Sequence, residues 1–109
     1  MAINNSQNCI AGTELSAVMT GSAVFIGSLP FNPAIIIFDN QGTAPISIYV
    51  NGTNASQLWR TFPAGEALVL DLRAAHGVAP NFTFSQNTTF FGNGASGTFS
   101  ISYVYAQNT

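Results

Sequence analysis

Residues 34–52 read AIIIFDNQGTAPISIYVNG and contain the patterns that decide the fold. The run at 34–38 is continuously apolar, which predicts a strand that is central in a sheet or covered on both faces. After the turn-forming residues 39–42, the segment 45–50 alternates between an apolar and a second face, as a half-buried strand does. Asn51-Gly52 is typical of a hairpin turn, so the next strand should run back beside this one.

Period-two alternation recurs on both sides of this stretch, and no segment keeps helical spacing for more than a turn. We predict further strands at 14–19, 22–26, 57–62, 66–73, around Phe82 and Phe84, around Phe90-Phe91, and at 98–106, where Phe99, Ile101, Tyr103 and Tyr105 share one face. A two-residue hairpin turn at Thr20-Gly21 should join the first two, and 92–97 should be a flexible loop. Seven of the predicted segments have the length of a strand and the two aromatic pairs are short, so we predict an antiparallel all-β sandwich of seven or eight strands, of jelly-roll or immunoglobulin-like type. We expect one domain over residues 1–109.

The chain carries only six charged side chains in 109 residues and no lysine. Ordinary soluble domains are roughly 25% charged, whereas this chain is 6% charged. Its thirteen aromatic residues are unlike the composition of a disordered chain, so we expect a folded core. Neutral polar residues replace the missing charge, because Asn, Gln, Ser and Thr make up one third of the chain.

This composition predicts neither nucleic-acid binding nor membrane insertion. Two arginines on a chain of net charge −2 cannot displace the counterions of a polyanion. The longest apolar run, 34–38, is far shorter than the roughly twenty residues that a membrane-spanning helix needs. Residues 1–8 lack the basic and apolar regions of a secretory signal, so we expect synthesis in a cytosol, where the chain at first stays soluble.

The sequence offers little that could catalyse a reaction. Asp71, Arg73 and His76 form the one cluster of ionisable groups within six residues, and an ion pair followed by a loop histidine explains it. Residues 39–42 contain one carboxylate, which is too few hard oxygen ligands for a calcium loop. We therefore predict no enzyme activity, no catalytic residue, no cofactor and no metal ion.

Four residues are candidates for binding a partner. Trp59 and Arg60 are residue types that dominate interface hot spots, and Trp59 could also stack on a sugar, although a lone Trp in a small sandwich is usually in the core. Strict alternation would place these two side chains on opposite faces, leaving one at the surface. Ile3 and Asn5 lie in a polar segment, residues 1–8, which we expect to be an N-terminal contact arm held by a neighbouring subunit.

Three segments carry a resemblance to a known class of protein: residues 35–52, residues 62–72 (FPAGEALVLDL) and residues 97–106 (GTFSISYVYA). Over roughly residues 34–106 the chain resembles small all-β virion structural proteins of tailed bacteriophages. The resemblance implies a capsid decoration or cement protein, or a neck or tail subunit, with no catalytic residues. It also implies synthesis in the host cytoplasm, residence in the virion, and contacts with other virion subunits such as the major capsid protein.

Such a protein would act as a homo-oligomer or in many identical copies, because avidity strengthens a small interface. A carbohydrate-binding β-sandwich that uses Trp59 is the alternative function class.

Overall fold

The computed structural model of the chain describes residues 8–72 and 84–107. These residues form nine β-strands and one 3-10 turn at Ala55–Gln57. The strands are β1 (Asn8–Ala11), β2 (Leu15–Val18), β3 (Val24–Ser28), β4 (Ile35–Asn40), β5 (Ile46–Val50), β6 (Leu58–Phe62), β7 (Ala67–Asp71), β8 (Thr89–Gly94) and β9 (Thr98–Gln107). Every strand pair is antiparallel, and the predicted all-β sandwich is confirmed.

Two sheets pack face to face. The first has the order β1-β9-β4-β7, with β2 also paired to β9, and the second has the order β3-β8-β5-β6. β1 and β2 lie end to end along one edge of β9, opposite residues 104–107 and 98–101. Counted as one interrupted strand, they give two four-stranded sheets in the arrangement of a jelly roll. β1 was not among the predicted strands, because the first predicted segment, 14–19, corresponds to β2 alone.

The core lies between the inner faces of the sheets, and alternation selects its residues. β5 directs Ile46, Ile48 and Val50 inward, as predicted. β9 contributes Phe99, Ile101 and Tyr103, also as predicted. The remaining large buried side chains are Met19, Ile26, Leu29, Ile36, Phe38, Phe62, Phe84 and Phe90. No buried side-chain nitrogen or oxygen among the described residues lacks a hydrogen-bond partner.

The apolar run that begins at Ala34 forms the centre of the first sheet, because β4 pairs with β9 on one side and β7 on the other. Its residues are nevertheless not covered on both faces. Ile36 and Phe38 are fully buried, whereas Ile37 is 39% exposed on the outer face. The run also extends further than predicted, since Asp39 and Asn40 belong to β4 instead of the following loop.

The predicted hairpin at Thr20-Gly21 is wrong. Gly21 has the positive φ of a turn residue, 90°, but β2 pairs with β9 in the first sheet and β3 pairs with β8 in the second. The turn carries the chain from one sheet to the other. Alternation identifies a strand but does not identify its partner, so it cannot distinguish a hairpin from two consecutive strands in different sheets.

The predicted flexible loop at 92–97 is wrong for its first half, since residues 92–94 end β8. Gly92 is closely packed there, since a Cβ on it would lie 3.0 Å from Met19 Sδ. Phe84, the described residue of the strand predicted around Phe82 and Phe84, is not part of a strand. Phe84 is buried but precedes β8, and Phe82 lies outside the described residues.

The hairpin after β5 is confirmed as a strand pairing, because β5 and β6 pair antiparallel. Its connection is longer than the predicted two residues. It spans residues 51–57 and includes the 3-10 turn, with Asn51 at φ 64°.

Candidate functional site

Trp59 lies in a β-bulge, which changes the geometry expected for it. Ile48 pairs with Arg60 and Tyr49 pairs with Leu58, so Trp59 has no cross-strand partner of its own. Its half-buried ring contacts the rings of Phe38, Phe62 and Phe84 at centroid distances of 4.8, 5.7 and 5.1 Å. Trp59 therefore packs against the core.

Arg60 also contacts the core, so the strict alternation assumed for the two residues is wrong. Its guanidinium carbon lies 4.5 Å from the ring centroid of Phe62, the ring that Trp59 touches too. Its Nη2 atom lies 2.7 Å from Glu66 Oε1. This ion pair joins β6 in the second sheet to the residue before β7 in the first.

The other predicted site residues lie mostly outside the described residues. Ile3 and Asn5 of the predicted arm belong to residues 1–7, and Arg73 and His76 belong to residues 73–83. Asp71, the last residue of β7, pairs with Ile35 of β4. Among the described residues, no group of three or more His, Cys, Asp or Glu is placed to hold a metal ion.

The edges of the two sheets differ in regularity. Within residues 8–72 and 84–107, one edge of the first sheet is interrupted between β1 and β2. The register of β3 shifts between Phe25 and Gly27, and β6 has its bulge at Trp59. Bulges and breaks of this kind hinder the addition of another strand. β7 has neither, because its pairing with β4 is continuous over its full length.

Within residues 8–72 and 84–107 β7 pairs with β4 alone, and the backbone groups on its other side can be assigned residue by residue. Asn40 N–H donates to the carbonyl of Glu66 at 2.9 Å, and Leu72 N–H donates to the carbonyl of Ala34 at 2.8 Å. Bonding alternates along an antiparallel pair, so the even-numbered residues of β7 bond to β4. The N–H and C=O groups of Ala67 and Val69 point to the free edge.

Several large apolar side chains are exposed on the outside of the sandwich. They are Val18 (63%), Val69 (60%), Phe25 (56%), Phe31 (45%), Leu58 (41%) and Ile37 (39%). Val69 and Ile37 are cross-strand neighbours on the outer face of the first sheet. Contiguous exposed apolar side chains on a protein are typical of a contact surface.

A cavity of about 510 Å³, which we call the aromatic pocket, opens between the sheets at the edge formed by β1, β2 and β3. It is lined by Ala11, Gly12, Thr13, Leu15, Ser28, Pro30, Phe31, Tyr103 and Tyr105. The rings of Phe31 and Tyr105 are stacked, with centroids 4.3 Å apart. None of the described lining residues is charged.

Tyr103 lines the aromatic pocket, with only 4% of its surface exposed. Its hydroxyl makes no hydrogen bond to any residue in the described part of the chain. The ring passes directly beneath Gly12, where a Cβ would overlap the hydroxyl end of the ring. Glycine at position 12 therefore makes room for the ring at the break between β1 and β2.

The aromatic pocket was not predicted from the sequence. Phe31 stands between Pro30 and Pro33, in a stretch that alternation marks only as a turn. An aromatic residue flanked by prolines is held in a fixed loop, and this was the available signal. The sequence could not indicate that this loop meets Tyr105 of β9, because 74 positions separate the two rings.

No family model matches the chain, and no curated protein matches it. One solved structure that is similar to it is described as belonging to Bacillus endospore appendages, "a novel family of disulfide-linked pili". The similarity covers 99% of this chain and 96% of that chain, with 14% sequence identity and a TM-score of 0.44. Similarity at this level does not establish a shared function. No helix in residues 8–72 or 84–107 has the length and hydropathy to cross a bilayer.

Proposed function

We propose that this chain is a non-enzymatic structural subunit that works in many identical copies. More specifically, we propose that it is a decoration or cement protein of a tailed-bacteriophage capsid. The second candidate role is that of a neck or tail subunit. The partners would be copies of the chain and other virion subunits such as the major capsid protein. The jelly-roll arrangement is compatible with this role, since capsid domains use it, although a fold alone does not determine a function.

The observation that carries the proposal is the edge of β7, which is regular and pairs with no second strand in the described part of the chain. Exposed edge strands are templates for pairing with another chain, and proteins that remain monomeric block them with charges, prolines or bulges. At its free edge β7 presents the backbone groups of Ala67 and Val69, beside an exposed valine side chain. A strand added here would extend the first sheet by main-chain hydrogen bonds.

A second copy of β7 fits this edge. In an antiparallel pairing about a two-fold axis, Val69 would lie opposite its counterpart, and Leu68 opposite Leu70 of the second copy. The Val69–Ile37 pair of each copy would then form one apolar stripe across the joined sheets. No like charges face each other between residues 67 and 70 in this register.

The low charge of the chain also supports assembly. Net charge far from zero keeps free monomers apart, and this chain has a formal net charge of −2. The Arg60–Glu66 ion pair further neutralises two of the six charged side chains. Little electrostatic repulsion therefore opposes the approach of further copies.

Replacing Val69 with lysine tests the β7 edge. The lysines of two copies would face each other across the two-fold axis, and like charges directly opposite destabilise a strand pair. We expect size-exclusion chromatography with light scattering to give an oligomer for the unaltered chain and a mass near 11.4 kDa for Val69→Lys.

Val18→Lys is the matched control, because Val18 is equally exposed but lies on the interrupted edge of the same sheet. Its mass should equal that of the unaltered chain. An unchanged oligomer in Val69→Lys, or an unaltered chain that stays monomeric at every concentration, would contradict pairing through β7.

Deleting residues 2–7 tests the predicted N-terminal contact arm. The deletion leaves β1 intact, because that strand begins at Asn8. Particles assembled with the shortened chain should lack it, while its urea unfolding midpoint stays unchanged. Electron microscopy of purified phage particles measures the occupancy. Full occupancy by the shortened chain would show that the arm is not a contact, and absence of the full-length chain from particles would refute the virion placement.

A further inference from the structure

The aromatic pocket contains a polar group that the described part of the protein leaves without a partner. Tyr103 is 4% exposed, yet its hydroxyl bonds to no described residue. The hydroxyl oxygen itself is accessible to solvent, since every buried side-chain nitrogen or oxygen in the described part of the chain has a hydrogen-bond partner. The hydroxyl opens into the pocket instead of being sealed in the core. A bound molecule that donates to this hydroxyl or accepts from it would replace the water there.

The rest of the lining restricts the chemistry of that molecule. With no charged side chain among the described lining residues, the pocket offers nothing to pair with an ionic ligand. Thr13 and Ser28 add hydroxyl groups that donate and accept. A wholly apolar ligand would leave these hydroxyls and that of Tyr103 unpaired, which disfavours it.

The aromatic side chains supply a flat apolar surface. One face of Tyr105 is covered by Phe31, and the Phe31 side chain is itself 45% exposed at the rim of the pocket. The volume of about 510 Å³ lies within the range of roughly 300–1,000 Å³ that is usual for small-molecule sites. An aromatic plane beside several neutral hydroxyls suits a molecule with one apolar face and a hydroxylated rim.

We propose that the aromatic pocket is a binding site for a neutral sugar ring. The C–H face of the sugar ring lies against the exposed ring of Phe31, which Tyr105 supports from its other face, and a sugar hydroxyl bonds to the hydroxyl of Tyr103. This site is distinct from Trp59, where the sequence suggested sugar stacking, since the Trp59 ring packs against three phenylalanine rings. It is also distinct from the free edge of β7, so it does not depend on the proposed assembly.

The test uses the full chain and the methyl glycosides of glucose, galactose, mannose and N-acetylglucosamine. Saturation-transfer NMR identifies which of them bind, and isothermal titration calorimetry gives the dissociation constant. We expect saturable binding of at least one. Tyr103→Phe should weaken that binding about tenfold while leaving the unfolding midpoint unchanged, because the hydroxyl makes no bond in the described structure.

Phe31→Ala removes the exposed ring and should abolish binding. Phe25→Ala is its matched control, since Phe25 is 56% exposed but lies on β3, away from the pocket lining, and contacts Phe91. No saturable binding by any glycoside, or equal loss in Phe31→Ala and Phe25→Ala, would overturn the proposal. Binding of a synthetic peptide of residues 1–8 in place of sugars would also overturn it, because the pocket would then accept a segment of another copy.

Discussion

Replacing Phe38 with alanine is expected to lower the free energy of unfolding by about 3–5 kcal/mol. The ring is fully buried and contacts five other aromatic rings, at centroid distances from 4.8 to 6.5 Å: those of Trp59, Phe62, Phe84, Phe90 and Phe99. Both sheets contribute to this cluster, so little local collapse can fill the cavity that alanine leaves. Because domains have total stabilities of about 5–15 kcal/mol, the variant would be only marginally folded.

Urea unfolding followed by Trp59 fluorescence measures this change. Phe38→Leu keeps much of the volume and should lose less than half as much stability, and Phe25→Ala, at an exposed ring, should stay close to the unaltered chain. A Phe38→Ala midpoint equal to that of Phe25→Ala would mean that the aromatic cluster does not hold the sheets together.

The second large effect is expected for Asn40→Asp. Asn40 is completely buried at the end of β4, where its Nδ2 atom donates to the carbonyls of Ala44, Phe62 and Pro63 at 3.0, 3.1 and 3.1 Å. Its Oδ1 atom accepts from the Gly42 N–H at 2.9 Å. The side chain thus ties the β4–β5 loop of one sheet to the end of β6 in the other.

An aspartate at this position has no donor and places a carboxylate beside three carbonyl oxygens. Each buried acceptor left unpaired costs about 1–3 kcal/mol, and the buried charge adds to this, so we expect a loss of at least about 4 kcal/mol near neutral pH. Asn93→Asp makes the same chemical change at an exposed position of β8 and should have little effect. Urea midpoints of the two variants within experimental error of each other would contradict this role of Asn40.

The sequence predicted the strands whose alternation is regular. The patterns of β5 and β9 gave their buried residues correctly, because alternation determines which side chains share a face. Alternation did not predict the turn between the two sheets at Gly21 or the interruption between β1 and β2. The division of the first strand at residues 12–14 depends on the passage of Tyr103 beneath Gly12, a contact between distant parts of the chain.

The candidate sites were predicted less well for the same reason. Trp59 and Arg60 were assigned to opposite faces, and one extra residue in β6 brings both against Phe62. Asparagine favours turns, so the sequence predicts a loop position for Asn40. In the structure Asn40 is buried in the core and its side chain makes four hydrogen bonds. The open edge of β7 could not be inferred without knowing which strands lie at the edges of the sheets.

Amide hydrogen exchange at Ala67 and Val69 tests most directly whether copies meet at the edge of β7. These amides point away from β4, whereas those of Leu68 and Leu70 bond to it. As the protein concentration rises, the amides of Ala67 and Val69 should change from rapid exchange to protection, while the amides of Leu68 and Leu70 stay protected at every concentration. Exchange at Ala67 and Val69 that remains rapid at the highest concentration would contradict assembly through this strand.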